Sequence, residues 1–476
     1  MQLKKAGFDK NLQNSLSIFT PMIRAGLLCL ALVCNLLLSA QDLKRRARMG
    51  IAVKTFSGTT FVKAGAEITA VFKGGTGDEM NLQVGQVITA VNKQKINSST
   101  ELISLLKTKC GGDTIIVMVQ DGTSTRTVMG QLQAAANDTC SGVNISYGSF
   151  QMKNIRLRTI MWKPADRAPR ATVYYLQGIS CYALDNLSNQ DPTRLAFKNL
   201  VKNGFAVYMV EKPGMGDSQS NCPCTELSYL QELEVYQAGY RHLVYDLRTD
   251  SATVFLFGHS MGGITAPLLA NSIQPKGTIV FGTVFKPWAD YLLDAYIEQQ
   301  YLLGAPLSQL RDTLELCKPS FYKLFYTTTS IASIKKERHA KTMLRCILEY
   351  DSATNLLAAG RSLQFHKELN ALNLAAAWKN NHSPLLACYG ESDIAANNAN
   401  DHVALVNYVN KLRPGTAEFR LVKNTNHTFQ AIGSMADFVR MQADVATYNQ
   451  FAANNFNSEF FLFLSEWMNQ QLERKG

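Results

Sequence analysis

Past residue 145, short and nearly continuous apolar runs alternate with longer amphipathic stretches. The runs cover 172–176, 206–211, 253–257, 278–285, 385–389 and 418–422, and each of the first four precedes a turn and a helix-like segment. Such runs fit strands covered on both faces, and their alternation predicts a mostly parallel sheet with right-handed crossovers. Residues 145–161 read as an antiparallel hairpin opening that sheet. The stretch from 48 to about 132 differs. It holds short β-like runs at 51–53, 67–72, 87–91 and 114–120, with glycine-rich punctuation. Its one amphipathic helix, 99–109, carries Leu102, Leu105 and Leu106 on one face, with Ser98 or Ser99 as its cap. Residues 133–144 are small and polar and read as a linker. About a hundred residues of helical character separate Phe285 from Pro384, too many for one crossover helix.

The sharpest motif is Gly258-His259-Ser260-Met261-Gly262, directly after an apolar run and before a helix-like one. A serine on a tight strand-to-helix turn has its hydroxyl clear of the backbone, and the helix N-terminus offers amides to a developing oxyanion. A serine nucleophile needs a base, and the base an orienting carboxylate. Of seven histidines, His427 alone sits just past a late apolar run. His259 beside the serine reads as packing under the turn. Asp393, closing Gly390-Glu391-Ser392-Asp393, is the expected acid, with Glu391 and Asp290 as alternatives.

Residues 145–476 thereby resemble the α/β-hydrolase family. Two further pieces fit. Tyr175-Leu176-Gln177-Gly178-Ile179 is similar to the family's His-Gly loop, with Gln177 for His. Glu211-Lys212-Pro213-Gly214-Met215-Gly216-Asp217-Ser218 is similar to its structural Asp-x-x-Gly-x-Gly-x-Ser turn, with Glu211 for Asp. The resemblance implies an oxyanion hole from the amides of Met261 and Ile179. It also implies a helical cap over the site, about 287–380. Its aromatics (Trp288, Tyr291, Tyr296, Tyr301, Phe321, Tyr322, Phe325 and Tyr326) read as a small core rather than a substrate box. In this fold the loops bearing Cys181 and Cys222/Cys224 emerge at the same sheet edge, so a disulfide from Cys181 to one of the two is expected.

Residues 46–132 resemble a bacterial-type PDZ domain. Arg48-Met49-Gly50-Ile51 fits the loop before its first strand. Val84-Gly85-Gln86-Val87-Ile88 and the helix at Ser99 follow, with Gln86 where the family has Asp. The resemblance implies that Met49, Gly50 and Ile51 hold the carboxylate of an extended peptide. A small β-rich domain used only for packing is the plainer alternative.

Residues 1–40 read as an export signal: a short apolar run at 27–38, then Ser39-Ala40, with Met22 as an alternative start. Cleavage places the mature N-terminus at Gln41 in a bacterial envelope or outside the cell. An uncleaved segment would be the route to a membrane. The formal charge of +11 argues for surface adhesion and solubility, not nucleic acid. Ten cysteines, two of them in the signal, permit disulfides. No metal or cofactor is expected, since Cys222-Pro223-Cys224 lacks a second pair at zinc spacing. The expectation is a serine hydrolase of an ester, thioester or lipid-type acyl bond. The alternatives are a peptidase of the same fold and an inactive scaffold.

Overall fold

The computed structural model describes residues 43–442 and 444–474. The expected signal, with its apolar run at 27–38, Met22, Ala40 and Gln41, lies outside them. Residues 44–476 form one compact unit.

Its N-terminal part is a β-rich layer. Strand β1 (Ala47–Arg48) is followed by β2 (Ile51–Phe56), β3 (Gly65–Val71), β4 (Val87–Val91) and β5 (Gln94–Lys95). Then come the helix Ser99–Leu106, β6 (Thr114–Asp121), β7 (Ser124–Gln131) and β8 (Gln133–Ala134). The main sheet runs β2-β3-β4-β6-β7, with β5 on β4. Ile68, Ile88, Val91, Leu102, Ile115 and Val117 fill its core. Ser98 caps the helix by accepting from the Glu101 amide. The helix stops at Leu106, short of the expected 109, and Arg46 donates to the carbonyl of its C-cap, Lys107 (2.6 Å). Strand β7 has no counterpart among the expected runs. It is an edge strand whose Ser-Thr-Arg-Thr start faces solvent, so it shows no apolar alternation.

The segment 133–144 is more than a tether. β8 pairs with β1, and the Ala135 and Ala136 carbonyls accept from Arg45. Asp138 pairs with Arg194. Small polar residues give no pattern to read, yet their backbone groups are taken by arginines distant in sequence.

The part after residue 142 has eight strands among the described residues: β9 (Val143–Met152), β10 (Ile155–Pro164), β11 (Thr172–Leu176), β12 (Ala206–Val210), β13 (Val254–His259), β14 (Gly277–Phe281), β15 (Leu385–Gly390) and β16 (Ala417–Val422). They lie in the order β16-β15-β14-β13-β11-β12-β10-β9. β9 and β10 form the antiparallel hairpin, β10 also runs antiparallel to β12, and β11 to β16 run parallel to one another. Alternate residues of the central strands serve opposite cores. Tyr174 and Leu256 pack toward the helix Tyr229–Arg241 and the cap; Tyr175 and Phe257 pack toward the helices Pro192–Lys202 and Ser458–Glu473. Both faces are therefore apolar, which is why these strands read as unbroken runs. β16 departs from that expectation. It is the edge strand, and its four middle residues are exposed.

The expected cap is helical, with Trp288–Leu302, Leu307–Tyr326, Leu363–Asn370 and Leu374–Asn380 as its longer helices. Its apolar side is continuous with one core of the sheet.

Candidate active site

Ser260 stands between β13 and the helix Gly262–Ala270 with φ +57°. That left-handed conformation is costly for a serine and persists where the surroundings over-determine it. The surroundings here are tight. A Cβ on Gly258 would stand 2.3 Å from the Gly262 carbonyl oxygen, and one on Gly262 would stand 2.0 Å from that of Leu176. The Ser260 amide donates to the Phe281 carbonyl (2.8 Å), which ties the turn to β14.

His427 and Asp393 come from the loops after β16 and β15. His427 Nδ1 donates to Asp393 Oδ2 at 2.7 Å. The other oxygen, Oδ1, accepts from the Ala396 amide at 2.9 Å. Burial raises the Asp393 pKa, but the charge and hydrogen bond of His427 outweigh it and the net shift is downward. For His427, burial opposes protonation, but Asp393 outweighs it and the net shift is upward. The alternative acids are placed differently. Glu391 is exposed and accepts from the Asn424 amide (2.9 Å). Asp290 lies in the first turn of Trp288–Leu302. Gly282, at φ +62°, lies against the pair: a Cβ there would be 2.7 Å from Asp393 Oδ2.

Two more histidines surround the pair. His259 Nε2 donates to the His427 carbonyl (2.8 Å), and its Nδ1 accepts from the Tyr175 hydroxyl (3.1 Å). Burial pulls its pKa down to about 3, helped by His427, so it stays neutral. His402 Nε2 accepts from the Thr283 amide (3.0 Å), and burial lowers it to about 4.

Ser260, His427, Met261 and Ile179 line one cavity of about 390 Å³. Of the cap aromatics, Trp288, Phe321 and Phe325 share one buried core with Tyr291 and Tyr296 packed against it, and some of these also face the cavity. Trp288, Tyr291 and Tyr296 line the cavity. Phe321 and Phe325 stack within the cap core, and Tyr301, Tyr322 and Tyr326 are exposed. Trp288 and Tyr291 are steered by bonds from Trp288 Nε1 to His366 (2.9 Å) and from the Tyr291 hydroxyl to the Ala395 carbonyl (2.7 Å).

The loop after β11 is held by groups that sequence reasoning missed. Lys212, read only as part of a structural turn, donates to the carbonyls of Gly178 (2.6 Å) and Ser180 (3.2 Å). Burial pulls its pKa down to about 8, against the charge of Glu232. Glu211 accepts from the Leu184 and Asp185 amides, and burial pushes it up to about 8. Cys181 is bonded to Cys224, with Cα atoms 6.0 Å apart, and Cys222 is free. Arg361 of the cap reaches this disulfide, 2.7 Å from Cys181 Sγ. Nothing in the cap sequence marks Arg361 or Glu349, which also lines the cavity.

Met49, Gly50 and Ile51 lie at the start of β2. Met49 is buried in the β-rich core. The Met49 and Gly50 carbonyls accept from the Gly77 and Phe72 amides.

Residues 193–430 match the family described as serine aminopeptidase, S33. A curated protein, methylesterase 4 of Arabidopsis thaliana, is 36% identical over 91 residues, which is 19% of this chain and 34% of that protein. The chain thus spans about a third of the length of this relative. Among solved structures, an esterase of Pyrococcus furiosus aligns at 13% identity and a TM-score of 0.40, over 69% of this chain and 90% of that one. A thermostable carboxyl esterase of Bacillus coagulans aligns at 13% and 0.40, over 69% and 99%.

Proposed function

Because the chain belongs to the serine aminopeptidase S33 family and is an α/β-hydrolase, we propose that it cleaves a carboxylic ester or related acyl bond through Ser260, His427 and Asp393. The observation carrying this is the partly buried Asp393–His427 bond in one capped cavity with a strained serine. Asp393 holds the Nδ1–H tautomer, which leaves His427 Nε2 free to take the Ser260 proton. The hydroxyl oxygen then attacks the acyl carbonyl. The amides of Met261 and Ile179 take the oxyanion, His427 returns the proton to the leaving group, and water repeats the sequence on the acyl-enzyme. A cavity of about 390 Å³ suits a small acyl substrate.

Its test is a panel on the purified protein: 4-nitrophenyl butyrate against aminoacyl 4-nitroanilides, with a fluorophosphonate to label the serine. Turnover of the ester with labelling at Ser260 is expected. A protein that is neither labelled nor active is a scaffold. A second reading, aminopeptidase, is favoured by Glu349. It lines the cavity at φ +48° without an ion-pair partner among the described residues, where a substrate ammonium would find a carboxylate. Faster cleavage of a free-amine anilide than of its N-acetyl form would establish it over the ester reading.

The pH profile follows from the same pair. His427 must be neutral to act as base, and Asp393 raises its pKa. Activity should therefore fall on acidification, with the midpoint of kcat/KM above the ordinary histidine value of about 6.5. A midpoint below that value would contradict the coupling.

We further propose that the β-rich part is PDZ-like and adds a peptide strand along β2. β2 is a sheet edge lying beside the helix Ser99–Leu106, which supports this. The peptide would have to displace the Thr55–Ser99 bond (2.8 Å). Titration with peptides bearing free or amidated C-termini tests it; equal binding of both removes Met49, Gly50 and Ile51 as a carboxylate loop. Export is supported by the disulfide. Mass spectrometry of the N-terminus from the native host, finding residues 27–38 retained, would overturn it.

A further inference from the structure

Behind the loop that follows β11, three ionised side chains sit out of contact with solvent: Lys212, Glu232 and Arg361. Two cations share one carboxylate. Such a group is expensive to bury unless every charge is matched by close partners. The ammonium of Lys212 lies 2.7 Å from Glu232 Oε1 as an ion pair and donates hydrogen bonds to the Gly178 and Ser180 carbonyls. Arg361 pairs with the other oxygen of Glu232 and donates to the Cys224 carbonyl at 3.0 Å. Glu232 is thus served by Arg361, while both hydrogen bonds of Lys212 go to the loop.

The first of those bonds falls on a peptide unit beside the nucleophile. A Cβ on Gly178 would stand 3.1 Å from Cβ and 3.5 Å from Oγ of Ser260, so the 178–179 peptide lies against the reacting hydroxyl. In a trans peptide the C=O and the following N–H point in opposite directions. Pinning the Gly178 oxygen toward Lys212 therefore turns the Ile179 N–H away from Lys212. The ammonium also polarises that peptide, which makes the N–H a stronger donor.

We propose that Lys212 is a positioning residue for acyl transfer: it fixes the 178–179 peptide so that the Ile179 amide is aimed at the oxyanion formed at Ser260. This rests on the reading of Ser260 as nucleophile and of Ile179 as an oxyanion donor. Lys212 touches no substrate. It acts through the loop, whose far end is held by the Cys181–Cys224 disulfide.

The test is Lys212→Met, which keeps much of the volume and leaves Glu232 and Arg361 as a balanced pair. With 4-nitrophenyl butyrate, kcat should fall about 10- to 100-fold, less than loss of an oxyanion donor itself, with KM within about threefold. Affinity for a trifluoromethyl ketone, whose serine adduct carries the oxyanion, should fall by the same factor as kcat/KM. A purely structural lysine would not produce that match. A folded K212M with wild-type kcat, or with a fall in kcat that the ketone does not follow, overturns the proposal. Should K212M fail to fold, K212Q, which keeps a donor without the charge, is read against the same two outcomes, with a smaller fall expected. Fluorophosphonate labelling separates the two levels. Wild-type protein that is not labelled at Ser260 sinks the acyl-transfer reading. Labelling of wild type that is no slower in K212M sinks only the role of Lys212.

Discussion

Ser260→Ala and His427→Ala should each lower kcat by about five to six orders of magnitude, and the double variant should be no worse than either alone. The hydroxyl and its base act as a unit, so removing one removes what the other contributes. The residual rate comes from substrate binding and the oxyanion donors, which neither change touches. Both substitutions only delete atoms at the cavity wall, so a wild-type circular dichroism spectrum is expected. The check is single-turnover hydrolysis of 4-nitrophenyl butyrate beside fluorophosphonate labelling. An S260A protein retaining one per cent of wild-type kcat would remove Ser260 as nucleophile.

Asp393→Asn should cost about 10³- to 10⁴-fold in kcat. Asp393 Oδ2 accepts from His427 Nδ1. An asparagine can present its NH₂ there instead, which favours the tautomer protonated on Nε2 and leaves no lone pair for the serine proton. The same change removes the charge that raises His427, so the acid limb of the residual activity should move to lower pH. Asp290→Asn and Glu391→Gln should stay near wild type. If D393N is near wild type while D290N is inactive, the acid has been assigned to the wrong carboxylate.

The central strands were legible because both of their faces are buried, so each appears as an apolar run without alternation. The nucleophile turn was legible for a related reason. Gly258 and Gly262 are demanded by backbone atoms 2.0–2.3 Å from where a side chain would begin, and that demand leaves a local pattern. Edge elements were read unevenly: β16 and β2 were expected as strands, but β7 and β8 left no pattern. β7 and β8 are polar and paired on one side or only briefly, and β16 is half covered. The support of the site was harder still. Lys212 in a glycine-rich turn reads as a solvated lysine, and Arg361 as one more charge in a helical cap. Their meaning depends on contacts 34 and 180 residues away, across separations that no periodicity spans. Arg45 and Arg46, just before β1, left no mark on the same ground, since a surface charge and an anchor paired with Asp217 have identical spelling.

That anchor sets the boundaries of the molecule. Asp217, on the turn after β12, accepts from Arg158 of β10 at 3.0 Å and from Arg45 at 2.6 Å, while the Arg46 backbone amide takes its other oxygen at 2.7 Å. Arg45 also pairs with Asp185 at 2.6 Å. Carboxylates that belong to the hydrolase sheet are thus neutralised by residues that precede the β-rich layer in the chain. Excision of that layer at 142 would take Arg45 from Asp185 and Asp217, leave Asp217 with Arg158 alone, and loosen the turn that carries Lys212 next to the active-site loop. The two parts look like beads on a string in the primary structure, but they share a keystone. Calorimetry of the intact protein should accordingly trace one melting peak, and a gene fusion or domain shuffle cut at that seam would inherit an unfinished catalyst.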